Sequence, residues 1–212
     1  MMGLVTRTCM RDQIRDEIVS RILNNHYPPG THLKELVLAR EFHVSQAPVR
    51  EALRELEMLG LVVSERYKGT HVRNPDKREL SEAYELRAIL EERAAQLAVP
   101  CNPDEIAELQ QILATMHAAV TKQDYTAYIT ATVAFHRHII VMSHNSVFLR
   151  TWESMLWEVR TRIALQLLEY DYAPFLAAHA DVIHALEKQD GVEAGKLLRN
   201  LIHIPIADLK KT

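Results

Sequence analysis

Polar side chains at a helical spacing in the segment Val44–Arg73 could hydrogen-bond to an anionic or base-edge surface. Gln46, Arg50 and Arg54 are four residues apart, so on a helix they share one face. Arginine suits guanine O6 and N7 or phosphate oxygens, and glutamine suits adenine N6 and N7. Apolar residues predict a second, buried face: Val49, Ala52, Leu53, Leu56 and Leu59. The segment therefore predicts a helix that packs by one face and presents hydrogen-bond donors on the other.

Signals on both sides set the limits of this helix. Ser45 is placed to cap its first turn with a side-chain oxygen, and Gly60 is placed to end it in a left-handed conformation. The β-prone segments 61–65 and 70–73 follow, and they flank a basic hairpin tip, Arg66-Tyr67-Lys68-Gly69. An arginine-bearing helix beside a basic hairpin is how a winged helix-turn-helix reads DNA.

Two further helices are predicted before this one. Segment 11–25 has apolar residues on one face, His26-Tyr27-Pro28-Pro29-Gly30 ends it, and segment 34–42 predicts a short second helix. The motifs PPGTHL, E-x-x-LA from Glu35, VS-x-x-PVREAL from Val44 and a G-x-x-V wing resemble the N-terminal domain of the GntR family of bacterial transcription factors, over about residues 11 to 73.

The resemblance implies a DNA-contacting surface that combines the outer face of the third helix with the hairpin. Its predicted residues are Ser45, Gln46, Ala47, Arg50, Arg54, Arg66, Lys68, Gly69 and Thr70. Most members of the family carry arginine directly after the serine, where this chain has Gln46. Two readings stay open: an operator that differs from the family norm, or a Gln46 that contacts only phosphate.

Composition agrees with a two-domain regulator of the cytoplasm. At 212 residues the chain can form two small cores, and the net charge of −3 divides into +2 for residues 1–75 and −5 for residues 76–212. No run of about 18 apolar residues predicts a membrane span, and the N-terminal residues do not resemble a signal peptide. Two distant cysteines, Cys9 and Cys101, favour a reducing compartment.

Residues 76–212 predict an antiparallel helical bundle, so the fold class is mainly α. The apolar periodicity predicts six helices, at about 77–98, 103–122, 124–143, 146–169, 173–188 and 191–209. In the first of them a core stripe is expected from Leu80, Ala83, Leu86, Leu90 and Leu97. Tyr84, Arg87 and Glu91 form a second, polar stripe on the same helix.

The sequence motif of that first bundle helix, E-L-R-x-x-L-E-x-x-A-A-x-L-A, resembles the N-terminal part of the FCD effector domain of the FadR-type GntR branch. Phe135-His136 and the H-x-x-x-x-x-A-L segment from His179 support this resemblance over about residues 77–205. Taken alone, Arg87 and Glu91 predict an exposed ion pair at i,i+4. The resemblance instead implies that Arg87 faces a ligand cavity and meets an anionic effector. The effector residues that it implies are Tyr84, Arg87, Thr132, His136 and His179.

Many FCD domains bind a divalent metal through one aspartate and three histidines. His136 and His179 match two of these histidines, whereas the aspartate position is Thr132 and the last histidine position falls on Leu201. We therefore expect no required metal, with the two histidines hydrogen-bonded in a partly polar core. A degenerate metal site at His136 and His179 stays open as the alternative.

The function expected from these features is a ligand-responsive repressor, a homodimer that binds double-stranded operator DNA and is released by a small organic acid. The alternatives are a metal-responsive regulator that uses the bundle histidines and a histidine-based enzyme. No H-E-x-x-H, G-x-S-x-G or phosphate-cradling glycine loop supports an enzyme. We therefore expect neither catalysis nor a membrane partner.

Overall fold

The computed structural model describes residues 9–73, 76–167 and 173–209. By its internal contacts the chain divides into two units, Met1–Asp76 and Lys77–Thr212. The described residues of the first unit form three helices and three short strands: α1 (Met10–Leu23), β1 (His32–Leu33), α2 (Glu35–Glu41), α3 (Gln46–Met58), β2 (Val62–Glu65) and β3 (Gly69–Val72). This is the predicted winged helix-turn-helix, with one strand more than expected.

The additional strand, β1, completes an antiparallel sheet in which β3 is central. His32 lies opposite His71 and Leu33 opposite Thr70, while Val62 of β2 pairs with Val72 on the other side of β3. A strand of two residues is too short to show the alternation that predicts strands. It forms because β3 offers a second edge for backbone pairing.

Of the two predictions for the ends of α3, the one for its C-terminal end is confirmed and the one for its N-terminal end is not. Ser45 holds the N-cap position with an extended backbone, but its side chain makes no capping hydrogen bond, so the predicted capping contact is wrong. Gly60 follows the last helical turn at φ +71°, as predicted for a glycine that ends a helix. The buried face of α3 contains Val49, Ala52, Leu53 and Leu56, and it packs against α1.

The second unit is a bundle of antiparallel helices. The structure describes α4 (Lys77–Leu97), α5 (Pro103–Thr121), α6 (Tyr125–Met142), α7 (Ser146–Ser154), α8 (Trp157–Leu167), α9 (Ala173–Glu187) and α10 (Gly191–Leu209). Asn102 caps α5 in a reciprocal capping box with Glu105, and Asp124 and Asn145 cap α6 and α7. No helix in the described parts of the chain has the length and apolarity needed to cross a bilayer.

The prediction of one continuous helix over 146–169 is wrong, because the chain breaks between α7 and α8. Leu156 has φ +51° at the break, although neither glycine nor proline marks it. Trp152 and Trp157 are both buried. Five residues on a continuous helix turn through about 140° beyond one full circle, so one narrow face could not bury both indoles. The break allows both side chains to enter the core.

The predicted core stripe of α4 is also partly wrong. Leu86 is 44% exposed and Leu97 is 37% exposed, whereas the polar residues Tyr84, Arg87 and Glu91 are buried. Helix α10 packs closely against another part of α4. A Cβ at Gly195 would lie 2.7 Å from the carbonyl oxygen of Glu92, so only glycine permits this approach.

Candidate ligand cavity and nucleic-acid interface

A cavity lies inside the helical unit, between side chains of α4, α6, α8, α9 and α10. It contains about 430 Å³ of empty space, including its open mouth. The space open to the centres of water-sized molecules is about 50 Å³, several times what one water molecule needs. Its lining is Tyr84, Arg87, Tyr128, Thr132, His136, Thr161, Ala164, Leu165, Phe175, His179, Leu201 and Ile202.

A carboxylate with no exposed surface, that of Glu91, organises one wall of this cavity. Its Oε1 accepts hydrogen bonds from Arg87 Nε at 2.7 Å and from the indole N–H of Trp152 at 2.6 Å. Its Oε2 lies 2.5 Å from Nδ1 of His136. Burial by itself would raise the pKa of Glu91, but the Arg87 charge, His136 and the indole donor lower that pKa to about 2. Glu91 is therefore ionised and holds side chains of three helices together.

Arg87 is buried with only part of its hydrogen-bonding capacity used. Its side chain is 3% exposed, and its Nη2 has no hydrogen-bond partner among the described residues. The guanidinium carbon lies 4.9 Å from the ring centre of Trp157 and 5.6 Å from that of Tyr84. Aromatic faces stabilise the cation but accept no conventional hydrogen bond. The guanidinium therefore retains an unused donor at the cavity wall.

His179 supplies an unused acceptor in the same cavity. Its Nδ1 donates to the backbone carbonyl of Phe175 at 2.6 Å, and its buried Nε2 has no partner in the described parts of the chain. Burial, and after it the neighbouring His136, lowers the pKa of His179 to about 3. The ring is therefore neutral near pH 7, with an unshared electron pair on Nε2. The hydroxyl of Thr132, also buried, is a third polar group without a partner among the described residues.

The metal set implied by the FCD resemblance is not completed by these side chains. Thr132 carries no charged oxygen and Leu201 has no donor atom, so only His136 and His179 remain. No group of three or more His, Cys, Asp or Glu in the described ranges could hold a metal ion. Sites of this kind need three or four N, O or S ligands. The side chains present do not fit a resident divalent metal.

All five predicted effector residues, Tyr84, Arg87, Thr132, His136 and His179, line the same cavity. The prediction from spacing alone that the Arg87–Glu91 pair is exposed is wrong. The ion pair forms, but both side chains are buried. Trp152 was expected only in a helical core or dimer stripe, and neither Trp152 nor Trp157 was predicted at a ligand site. Their signal was available, because large aromatics close to a buried polar stripe often supply an indole donor or a cation-binding ring.

The first unit presents its predicted contact residues at the surface. Exposed side chains from the start and outer face of α3 are Ser45, Gln46, Ala47, Arg50 and Arg54. Arg50 is held by Glu35 of α2, with Nη2 at 2.7 Å and Nε at 3.0 Å from the carboxylate oxygens. The Arg50 hydrogen bond lowers the pKa of Glu35, and the carboxylate raises the pKa of Arg50. The sequence did not identify Glu35 as this partner.

The hairpin tip between β2 and β3 presents the remaining predicted residues. Arg66, Lys68 and Gly69 are exposed, and the partly exposed Thr70 meets Ser64 across the hairpin at 3.1 Å. Gly69 has φ +84°, and a Cβ there would lie 2.4 Å from Nε2 of His32, so glycine is required by its backbone and by its neighbour.

Tyr67, which was not among the predicted contact residues, lies at the same tip and is 91% exposed. The guanidinium of Arg66 lies 5.0 Å from its ring centre. The tip thus combines an aromatic ring with two cationic side chains, which suits phosphate and sugar surfaces.

Family models match both units. The model described as "Bacterial regulatory proteins, gntR family" matches residues 10–72, and the model described as "FCD domain" matches residues 82–203. Two transcription regulators among the similar proteins cover most of this chain. The "Probable D-xylose utilization operon transcriptional repressor" of Paenarthrobacter nicotinovorans is 32% identical over 88% of this chain and 82% of its own length. The "Gluconate operon transcriptional repressor" of Bacillus licheniformis is 29% identical over 82% of this chain and 74% of its own.

The fold is also that of a solved structure. "E. coli McbR/YncC" superposes with a TM-score of 0.74 at 24% identity, over 100% of this chain and 99% of that one. The family matches, together with a winged helix-turn-helix followed by a helical bundle, identify regulators of transcription and not enzymes. The chain belongs to the GntR family of bacterial transcription regulators and carries an FCD domain.

Proposed function

We propose that the protein is a homodimeric repressor whose affinity for operator DNA is lowered by a small hydroxy acid bound in the cavity of the helical unit. The observation that carries the proposal is a group of buried polar atoms without partners around that cavity, among them Arg87 Nη2, Thr132 Oγ1 and His179 Nε2. Buried polar groups are costly unless they are hydrogen-bonded. A ligand with matching groups would remove that cost.

The unused groups indicate the chemistry of the ligand. Arg87 Nη2 can donate to a carboxylate, and Glu91 already neutralises part of its charge. Nε2 of the neutral His179 can only accept, so it requires a ligand group that donates, such as a hydroxyl. A plain carboxylate has no hydrogen to donate to His179. The names of two relatives, which refer to gluconate and to D-xylose utilization, agree with a polyhydroxylated ligand.

The metal-responsive alternative is the weaker one. Thr132 and Leu201 occupy the positions of the two other metal ligands. The histidine pair alone therefore leaves a divalent ion short of protein ligands. We expect protein purified without added metal or an affinity tag to contain well under one equivalent of Zn, Ni or Mn per chain by elemental analysis. A full equivalent that is lost in a His136→Ala/His179→Ala variant would favour the metal-responsive reading.

A thermal-shift comparison of matched compounds tests the ligand class. Gluconate and lactate carry both a carboxylate and a hydroxyl, propionate lacks the hydroxyl, and glycerol lacks the carboxylate. Compounds that bind only the folded protein raise its Tm by mass action. We expect gluconate or lactate to raise the Tm and to release labelled operator DNA, with propionate and glycerol far weaker in both assays.

Arg87→Lys separates the cavity from other anion-binding sites on the protein. Lysine keeps a positive charge beside Glu91 but loses the planar fork that leaves a second donor for the ligand. The expected result is at least a tenfold weaker ligand response, with operator affinity unchanged in the absence of ligand. Arg199→Lys, at the partly exposed Arg199–Glu92 pair, is the matched control. A response that is lost equally in both variants, or retained in Arg87→Lys, would contradict the proposed site.

A further inference from the structure

One face of α4 remains uncovered by the described residues. The other faces of this helix contact α10, α6 and α7. From Arg78 onward the exposed positions of α4 are Arg78, Glu82, Leu86, Ile89, Arg93 and Leu97, and these six residues are called the α4 face below. Ile89 is 58% exposed and Leu86 is 44% exposed. A contiguous apolar centre of this kind on a surface helix indicates an interaction site.

The spacing of the α4 face reads the same in both directions. Successive members are separated by four, four, three, four and four residues. A second copy of α4, laid antiparallel and related by a two-fold axis between residues 87 and 88, therefore places each exposed position opposite another one. In that register Leu86 meets Ile89, Glu82 meets Arg93, and Arg78 meets Leu97 of the second copy. A two-fold dimer requires this kind of self-complementary surface.

The chemistry of the pairs supports the antiparallel register. Two leucines and two isoleucines from the two copies form an apolar centre, and an ion pair between Glu82 and Arg93 of the second copy flanks it on each side. The long stem of Arg78 can cover Leu97 while its charge remains in water. A parallel pairing would instead place Glu82 against Glu82 and Arg93 against Arg93, which like charges disfavour.

The present partners of the charged members can be exchanged at little cost. Glu82 accepts from Arg78 at 2.9 Å, and Arg93 donates to Gln96 at 2.9 Å, each in a contact at the exposed surface. Water screens surface pairs of this kind, so they contribute little to stability. Both side chains can therefore turn to a second copy.

We infer that the α4 face is the dimer interface of the helical unit, with a second copy of this chain as its occupant in antiparallel register. The inference rests on the homodimer of the proposed function and names the surface that forms it. It also places α4, which carries Arg87 and Glu91 on its inner face, at the interface between copies. Ligand in the cavity would then act on the same helix that joins the two subunits.

Charge reversal in the full-length protein tests the register. Glu82→Arg and Arg93→Glu should each raise the dimer dissociation constant at least tenfold, measured by sedimentation velocity over a range of concentrations. The double variant should return it to within about threefold of wild type, because the reversed charges again face each other. Lys196→Glu, at an exposed position of α10, is the control and should leave the constant unchanged. Circular dichroism verifies that each variant is folded.

The outcomes separate the interface from the homodimer itself. A wild-type protein that stays monomeric at micromolar concentrations would overturn the homodimer proposal and this inference with it. A wild-type dimer whose stability neither single reversal changes would overturn the α4 face alone. Weakening by both single variants without rescue in the double variant would overturn the antiparallel register. A Leu86→Asp/Ile89→Asp variant should be monomeric, and a stable dimer there would also contradict the inference.

Discussion

Each unit of the protein contains a glutamate–arginine pair at the centre of its candidate site, and the two pairs differ in burial. Glu35 and Arg50 lie at the surface of the first unit, where Arg50 is 52% exposed. Glu91 and Arg87 lie inside the bundle and are almost fully buried. Water can replace either partner of the first pair but not of the second. The same chemistry therefore makes an exchangeable contact at the surface and a fixed structural element in the core.

The largest effect is expected when the glutamate is removed from the buried pair. Glu91→Ala leaves the Arg87 charge buried without its counter-ion, so it should lower the free energy of unfolding by about 3–5 kcal/mol. Urea denaturation followed by circular dichroism measures this. Glu92→Ala removes the adjacent, partly exposed partner of Arg199 and should cost far less. Equal losses of unfolding free energy in the two variants would mean that burial does not distinguish the Glu91–Arg87 pair from the Glu92–Arg199 pair.

The next largest effect is expected from the buried His179, which should make the free energy of unfolding depend on pH. The folded state holds the pKa of His179 at about 3, while an unfolded chain binds a proton near the ordinary value of about 6.5. The unfolded state therefore carries the extra proton between these values, and stability falls as the pH is lowered from about 6.5. Well below pH 6.5 the loss approaches about 1.4 kcal/mol per pH unit for this one group. His179→Phe should flatten that slope, measured as the free energy of unfolding between pH 6.5 and 4.5. An unchanged slope would place the buried proton site elsewhere.

In the surface pair the arginine is expected to affect function more than stability. Arg50→Ala should weaken specific operator binding on the order of ten- to a hundredfold, as measured by fluorescence anisotropy, while the urea midpoint stays close to that of wild type. Lys122→Ala removes one positive charge from the helical unit and serves as the control. Unchanged operator affinity in Arg50→Ala would contradict the docking of α3.

The smallest effect is expected at the hairpin tip. Lys68 is paired with Glu65 at 2.6 Å and is well exposed, so its DNA contact should be with phosphate. Lys68→Ala should reduce affinity for all sequences alike and lower the slope of log affinity against log salt by about 1. Loss of sequence discrimination without a change in that slope would assign Lys68 to a base.

Local signals explain why much of the first unit could be predicted. The glycine at the end of α3, the β-prone residues of β2 and β3 and the apolar stripe of α3 are each contained within a few residues. Strand β1 could not be found in this way, because two residues become a strand only through pairing with β3, nearly forty positions later in the chain. Long-range pairing of this kind leaves no periodic pattern.

Five of the residues that line the candidate cavity were predicted through the family resemblance, but their burial was not. The spacing of Tyr84, Arg87 and Glu91 correctly placed them on one face of α4, but an exposed polar face and a buried one have the same sequence pattern. What decides between them is the packing of α6, α7 and α8 over that face. The break at Leu156 likewise has no glycine or proline to signal it in the sequence.

That break has a consequence for observing the protein. It positions the only two tryptophans of the chain at the charged wall of the cavity, with Trp152 donating to Glu91 and Trp157 lying beside the Arg87 guanidinium. All tryptophan fluorescence of the protein therefore originates close to the candidate ligand. A nearby charge that moves will change the intensity and the wavelength of that emission. Occupancy of the cavity can be followed by intrinsic fluorescence without a label. Trp152→Phe and Trp157→Phe variants would show which indole reports it.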